Sequence, residues 1–414
     1  VSYDLKVAML IWSYWPGHEG GAERQCRKII PYLERRGIQV VVWTARTQRK
    51  QRRREMVGDH EIVRMGRAVP LMTAARGWVE KLLAIVLRRT NLQGRGQALR
   101  REALLFWLGL PLMFIAKAIF LLELWFWLRR AENRPDVIHV HESSWLAGAA
   151  AFFARRYGIP VLAKTALYPA WNVLGYDVPM RRTFSKARRE CHFAALAPYL
   201  AEDLITHGVP RERIFEVPNG VEIPERIADF SSEKVVLFVA NFSQGVEHKA
   251  FDVLLNAWNI VVREEPSALL KILGGGDRTQ WENMVKFLRL ESSVDFVGWV
   301  DAPSEHYRLS SIFVLPSGRE GISNALLEAQ SYGLPCVVSD IPGNIAIIEH
   351  GVNGIVVSAG NVEQLAKAIL LLLSDSELIK KMGYAGRYKM IKNFNLQNVA
   401  DIIVNVYEKI YFVR

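Results

Sequence analysis

From Lys6 to Ser339 short apolar runs of strand character alternate with segments of helical periodicity, and this alternation does most to narrow what the chain can fold into. Strands separated each time by a helix are joined by right-handed crossovers into parallel sheets with helices on both faces. The runs Lys6–Trp12, Gln39–Thr44, Asp136–His141, Val161–Lys164, Phe193–Ala197 and Ile214–Val217 predict a first sheet. Val235–Ala240, Leu270–Leu273, Val294–Val297, Ile312–Leu315 and Cys336–Ser339 predict a second, and the polar stretch Glu225–Lys234 is the natural linker. At 414 residues, half of them hydrophobic, the chain can bury two such cores. In open α/β sheets ligands bind beyond the carboxyl ends of the strands, so two halves predict a ligand in the cleft between them.

The densest chemistry lies in Glu320-Gly321-Ile322-Ser323-Asn324-Ala325-Leu326-Leu327-Glu328, after the strand Ile312–Leu315 and the turn Pro316-Ser317-Gly318. Where a strand turns into a helix, the first helical N–H groups are unpaired and coincide with the positive end of the helix dipole, which attracts phosphate. Glu320 lies before the helix, and Glu328 lies in its second turn, within reach of a ribose hydroxyl. Two carboxylates around a phosphate-seeking turn suit a nucleotide-sugar.

This Glu-x7-Glu run, with Ala329-Gln330-Ser331-Tyr332-Gly333-Leu334-Pro335-Cys336-Val337-Val338 after it, resembles the retaining glycosyltransferases of family 4, whose architecture is GT-B. The resemblance covers about residues 5–45 and 135–395. It implies two Rossmann-like domains facing across a cleft: an acceptor domain over 1–224, a nucleotide-sugar domain over 225–395, and a helix over 396–414 that crosses back. It implies that Gly20 and Gly21 form the first glycine-rich loop. His141, at the end of a strand whose alternation puts it on one face with His139, would stand near the transferring sugar. Lys249 would hold phosphate, Gly275 and Arg278 belong to the loop facing the donor, and Trp299 would lie near the base. Glu320 would hold sugar hydroxyls, the amides of Gly321, Ile322, Ser323 and Asn324 the diphosphate, and Glu328 the nucleotide. His141, Lys249 and Glu320 are the expected catalytic residues. Val217-Pro218-Asn219-Gly220-Val221 resembles the family's hinge-side turn, and Pro342-Gly343-Asn344 and Gly351-Val352-Asn353-Gly354 its later loops.

Two positions depart from the family. Asn241 stands where an arginine pairs with the lysine, and Ala250 where a glycine follows it. An amide cannot neutralise a diphosphate, so either Lys249 carries that charge with help from Arg278 or Arg319, or donor binding is weakened.

The net charge of +11 is concentrated in residues 46–101, which hold 15 Lys and Arg against 4 Asp and Glu. Zinc-ligand spacing, a helix-turn-helix pattern and aromatic stacking motifs are all missing from the sequence, so no nucleic-acid partner is expected. Next to this region Leu104–Leu128 is almost wholly apolar, with Lys117 and Glu123 its only charges and with Phe106, Trp107, Phe114, Phe120, Trp125, Phe126 and Trp127 among its aromatics. At ~1.5 Å per residue it reaches ~37 Å, enough to cross a bilayer. A single span would put strands of one sheet on opposite sides of a membrane, so the helix is buried in protein, lies in the interface, or dips in as a hairpin with Trp78–Leu87. Residues of about 46–134 are thus read as an insert. Each Lys or Arg near anionic lipid contributes roughly 1 kcal/mol, which makes the basic run a membrane-surface candidate.

Cys26, Cys191 and Cys336 form neither a disulfide framework nor a metal spacing, and Val1–Lys6 lacks the form of a signal peptide. The expectation is a retaining, metal-independent hexosyltransferase without a cofactor, peripheral on the cytoplasmic face of a membrane. It would take a UDP- or GDP-sugar and extend a lipid-linked glycan or polysaccharide precursor. The alternatives are a soluble transferase with a small-molecule acceptor, a nucleotide-sugar epimerase, for which Glu-x7-Glu is not expected, and a non-catalytic partner that keeps the fold, which Asn241 keeps open.

Overall fold

A computed structural model describes residues 5–16, 20–67, 69–71, 95–166, 185–186, 188–230, 233–242 and 249–412, with side chains of its longest helix described from Leu112 onward. The first sheet has eight strands: β1 (Lys6–Leu10), β2 (Gln39–Ala45), β3 (Arg54–Val57), β4 (His60–Met65), β5 (Val137–Val140), β6 (Val161–Thr165), β7 (His192–Ala195) and β8 (Ile214–Glu216). Their order is β3-β4-β2-β1-β5-β6-β7-β8, and every pair is parallel except β3–β4. The second sheet comprises β9 (Val235–Val239), β10 (Leu269–Leu273), β11 (Val294–Gly298), β12 (Ile312–Leu315), β13 (Cys336–Ser339) and β14 (Gly354–Val357), all parallel, in the order β11-β10-β9-β12-β13-β14. These are two doubly wound halves, as the alternation predicts. The inner strands are largely apolar because helices cover both faces, whereas the edge pair β3–β4 carries Arg54, Glu55, His60, Glu61 and Arg64.

The basic stretch differs from the expected insert. It begins as sheet: Arg54–Val57 and His60–Met65 form an antiparallel pair whose second strand runs parallel to β2. The expected apolar segment lies in a helix, Arg95–Arg129, that serves as the crossover from β4 to β5. Phe120, Leu124 and Leu128, four residues apart, are fully buried against Trp43, Val63 and Met65 of the sheet. Each such side chain contributes about 1.5–3 kcal/mol. The opposite face keeps Ile115, Leu122 and Phe126 exposed. Lys117 is buried with its ammonium 4.3 Å from the ring centroid of Trp145, a cation–π contact that offsets its desolvation. Among the described residues no helix is long and apolar enough to cross a membrane. Trp78–Leu87, the other arm of the expected hairpin, lies outside the described residues.

The last helix, Leu396–Phe412, returns to the first sheet. Leu396, Val399, Ala400, Ile403, Val406, Tyr407 and Ile410 share a core with Cys26, Ile29, Ile30 and Leu33 of the helix Gly21–Glu34 and with Val7 and Met9 of β1. The crossing is fastened at the expected hinge-side turn, where Val221 donates to the Phe394 carbonyl (2.7 Å) and Leu396 donates back to the Val221 carbonyl (3.2 Å). The three cysteines are buried and unpaired.

Candidate active site

Where the halves face each other lies a cavity of about 1220 Å³. Its walls include Gly20, Arg24, Arg27 and Lys28 from the first half and Asn241, Gly275, Trp299, Tyr307 and Glu328 from the second. Gly20 sits just before the helix Gly21–Glu34, and Glu23 closes that turn by accepting from the Gly20 N–H (3.0 Å) and the Ser13 hydroxyl (2.7 Å). Opposite stands the helix Asn324–Ser331. It begins two residues later than Ile322, so Ser323 is the residue before it, and its first backbone bond runs from the Leu327 N–H to the Ser323 carbonyl. The first-turn amides at Asn324–Leu326 are therefore the ones without a helical acceptor. Asn324 joins the two turns: its amide donates to the Gly21 carbonyl (3.0 Å), and its oxygen accepts from Asn219 (2.8 Å).

Glu320 lies in the loop ahead of this helix, 11% exposed, in an ion pair with Lys249 and accepting from the Ser317 hydroxyl (2.9 Å). The Ser339 hydroxyl bonds the Ser317 carbonyl, and buried Asn344 donates to the Ser339 hydroxyl (3.0 Å). Beneath the loop a Cβ on Gly343 would stand 1.8 Å from the Gly321 carbonyl oxygen, so glycine there is what allows the Glu320–Gly321 turn to sit down. Ile322 and Ser323 are buried. Across the cleft burial and the Glu320 charge push the Tyr199 phenol up to about 12. Lys249 is followed by Ala250 at φ +50°, a left-handed conformation that glycine adopts without strain.

Glu328 accepts from Lys28 of the opposite half (3.0 Å) and from the Tyr307 hydroxyl (3.1 Å). Burial and then Glu328 hold the Tyr307 phenol protonated far into the alkaline range. Gly274 and Gly276, at φ +141° and +113°, press against the carbonyls of Ala240 and Phe242, which fixes Asn241 beside Gly275. Trp299 is half-exposed under the Arg24 guanidinium, 5.7 Å from its ring centroid.

Of the expected site residues, Gly20, Asn241, Gly275, Trp299 and Glu328 border the cavity. Gly21, Lys249, Glu320, Gly321, Ile322, Ser323 and Asn324 do not line it, and two others are taken up by different partners. Arg278 turns away, bonding Glu282 (2.7 Å) and the Phe296 carbonyl (3.0 Å), so it supplies no charge to the cavity. His141 does not border the cavity either. It is buried, stacked on His139 (4.7 Å), with Nε2 against the Met9 sulfur (3.3 Å), and it lines a small void with Gln25, Lys164 and Asn219. Burial, then His139 and Lys164, keep its ring neutral. The sequence reading missed Arg24, Arg27 and Lys28, whose i, i+3, i+4 spacing after a Gly-Gly turn was the available signal.

Residues 20–220 match the glycosyl transferase 4-like domain, and residues 233–375 match glycosyl transferases group 1. An uncharacterised glycosyltransferase of Haemophilus influenzae is 30% identical over 186 residues, 44% of this chain and 51% of that one. The UDP-Gal:alpha-D-GlcNAc-diphosphoundecaprenol alpha-1,3-galactosyltransferase of Escherichia coli is 25% identical over 209 residues, 49% of this chain and 53% of that one. Such alignments span about half the length of each relative. Sucrose-phosphate synthase from Thermosynechococcus elongatus superposes with a TM-score of 0.74 at 18% identity, covering 99% of this chain and 100% of that one. Anabaena HepE in complex with UDP-glucose superposes with a TM-score of 0.69 at 16% identity, covering 98% and 100%. Likeness at these identities speaks for the fold, and the two domain matches, which together take in most of the chain, speak for the family: the chain belongs to the GT-B glycosyltransferases, with a 4-like first domain and a group 1 second domain.

Proposed function

We propose that the protein moves a hexose from a UDP- or GDP-linked sugar to a lipid-linked glycan or polysaccharide precursor, with retention of anomeric configuration and without a metal ion. The observation that carries this is the meeting of two helix starts between the halves, where the Asn324 side chain donates to the Gly21 carbonyl, with Gly20 and Glu328 of the same two elements lining the cavity. In the reaction the bond from the anomeric carbon to the diphosphate breaks, and the acceptor oxygen bonds the same face of that carbon. The acceptor proton leaves to the departing diphosphate. Lys249 and the first-turn amides of Asn324–Leu326 stabilise the charge that develops there, a term of about 3 kcal/mol per well-placed donor. Glu320 holds sugar hydroxyls and Glu328 the ribose, for which Lys28 must yield.

The lipid-linked acceptor is supported by the Escherichia coli relative, named for transfer to a GlcNAc-diphosphoundecaprenol. Residence at the cytoplasmic membrane face, against anionic lipid, is supported by the exposed stripe Ile115, Leu122 and Phe126, which ends at Arg129 and Arg130. Asn241 favours a second reading, a non-catalytic partner that keeps the fold. Calorimetry with UDP- and GDP-sugars without added metal separates the two: micromolar binding of one donor, weakened at least tenfold in Glu328→Ala, is expected. Failure of every donor to bind the wild type would leave the non-catalytic reading. The anomeric configuration of the product, read by NMR, tests retention.

A further inference from the structure

Beside the large cavity, on the first half, lies a second one of about 400 Å³ bordered by Pro16, Gln48, Lys50, Gln51, Arg52 and Glu55. The loop that forms it follows β2 and is organised around a buried side chain. Gln51 accepts from the backbone N–H groups of Thr47 and Gln48 (3.0 Å each) and donates to the Pro16 carbonyl (2.9 Å). Arg46 donates to the Gln51 carbonyl (3.0 Å). Arg64, its side chain fully buried, donates to the carbonyls of Arg52 and Trp15 (3.1 Å each). The loop is thereby stapled to the Trp15-Pro16 segment, of which Trp15 borders the large cavity and Pro16 the small one.

On this fixed backbone the exposed side chains of Lys50 and Arg52 have no hydrogen-bond or ion-pair partner among the described residues. Glu55, the acid in the wall, is engaged by Arg64 at 2.9 Å. Two cations held at one rim repel each other, and an anion with several oxygens between them turns that repulsion into charge-assisted hydrogen bonds. The long helix rises at the same edge of the sheet. Phe120 packs on Trp12 (5.3 Å between centroids) and against Gly66 at the end of β4. The 25 residues of this helix ahead of Phe120, beginning at Arg95, therefore extend about 37 Å beyond the strand ends.

We propose that this cavity holds the diphosphate of the acceptor, with Lys50 and Arg52 on its oxygens, and that the glycan beyond the diphosphate passes Trp15 into the large cavity. The proposal rests on the transferase reading of the cleft and names the part of the acceptor held outside it. The helix at the same edge makes the source a lipid-borne diphosphate rather than a free one.

The test titrates the full chain, its cleft filled with whichever of UDP or GDP binds, with farnesyl diphosphate, farnesol and inorganic diphosphate, for the wild type and for Lys50→Ala/Arg52→Ala. Farnesyl diphosphate is expected to bind the wild type and to lose at least tenfold in affinity in the double variant, with nucleotide affinity unchanged and farnesol indifferent to the substitutions. Equal binding of farnesyl diphosphate by both proteins overturns the proposal. A parallel loss of nucleotide affinity also overturns it, because the cations would then serve the donor. Inorganic diphosphate binding as tightly as farnesyl diphosphate overturns the lipid source. If no nucleotide binds, the transferase reading fails separately, and the farnesyl diphosphate titration still reports on the loop.

Discussion

Replacing Gly343 by alanine tests whether the Glu320 turn must sit where it does. The added Cβ would stand 1.8 Å from the Gly321 carbonyl oxygen and 2.9 Å from that of Glu320. A carbon–oxygen contact needs about 3.3 Å, so the Gly321 carbonyl must retreat by about 1.5 Å. The residue below cannot give way instead, because buried Asn344 is tied to the Ser339 carbonyl (3.2 Å) and hydroxyl (3.0 Å). The Glu320 carboxylate rides on the displaced peptide and is drawn from Lys249 and the Ser317 hydroxyl by on the order of 1 Å, a misplacement that costs about 100-fold in rate. Overpacking costs about 1–3 kcal/mol of stability, which lowers the melting temperature of halves this size by several degrees without unfolding them at 25 °C. The assay is sugar transfer, or donor hydrolysis where no acceptor is known, beside a thermal melt. A folded variant turning over within threefold of wild type would refute the reasoning.

Glu320→Gln keeps the shape of the turn and removes the charge that pairs with Lys249; transfer rates should fall by about 100-fold or more, with donor affinity by calorimetry changing far less. Asn241→Arg restores a cation beside Gly275 and should tighten donor binding about tenfold, read by the same titration. His139 is held neutral down to about pH 3 by burial and then by Lys164, whereas in the unfolded chain it protonates near 6.5. The unfolded state therefore binds more protons below pH 6.5, and stability falls as pH falls from there towards 3. By pH 5 this ring alone costs about 2 kcal/mol, seen as a lower urea midpoint than at pH 7 and reduced in His139→Gln.

Much of the architecture was legible because a helix-covered parallel strand must be apolar on both faces, and runs such as Val235–Val239 and Ile312–Leu315 announce themselves. The elements that escaped lack that signature. Arg54–Val57 is an edge strand with alternate residues exposed, so its Arg and Glu read as part of a charge run rather than as sheet. Gly354–Val357 is only four residues long and follows a turn, and its backbone enters the sheet because Gly354, whose Cβ would meet the Cys336 carbonyl at 2.3 Å, lets it approach β13.

The site divides along the same physical line. Glu320, Glu328 and the helix start are placed by one strand–turn–helix unit, so their spacing in sequence is close to their arrangement in space. Arg278 was also locally decidable, since Glu282 four residues on is the natural partner of an arginine at a helix start, and the pair forms. His141 was not. Alternation correctly put it on one face with His139, but whether that face meets ligand or core depends on what covers it. Here Tyr407, 268 residues beyond His139, seals the pair by bonding His139 Nδ1 at 2.7 Å. The return of the last helix is itself carried by its own apolar periodicity, so the helix was readable in the sequence. Its consequence for the histidines appears only once Met9, Tyr407 and the two rings are brought together.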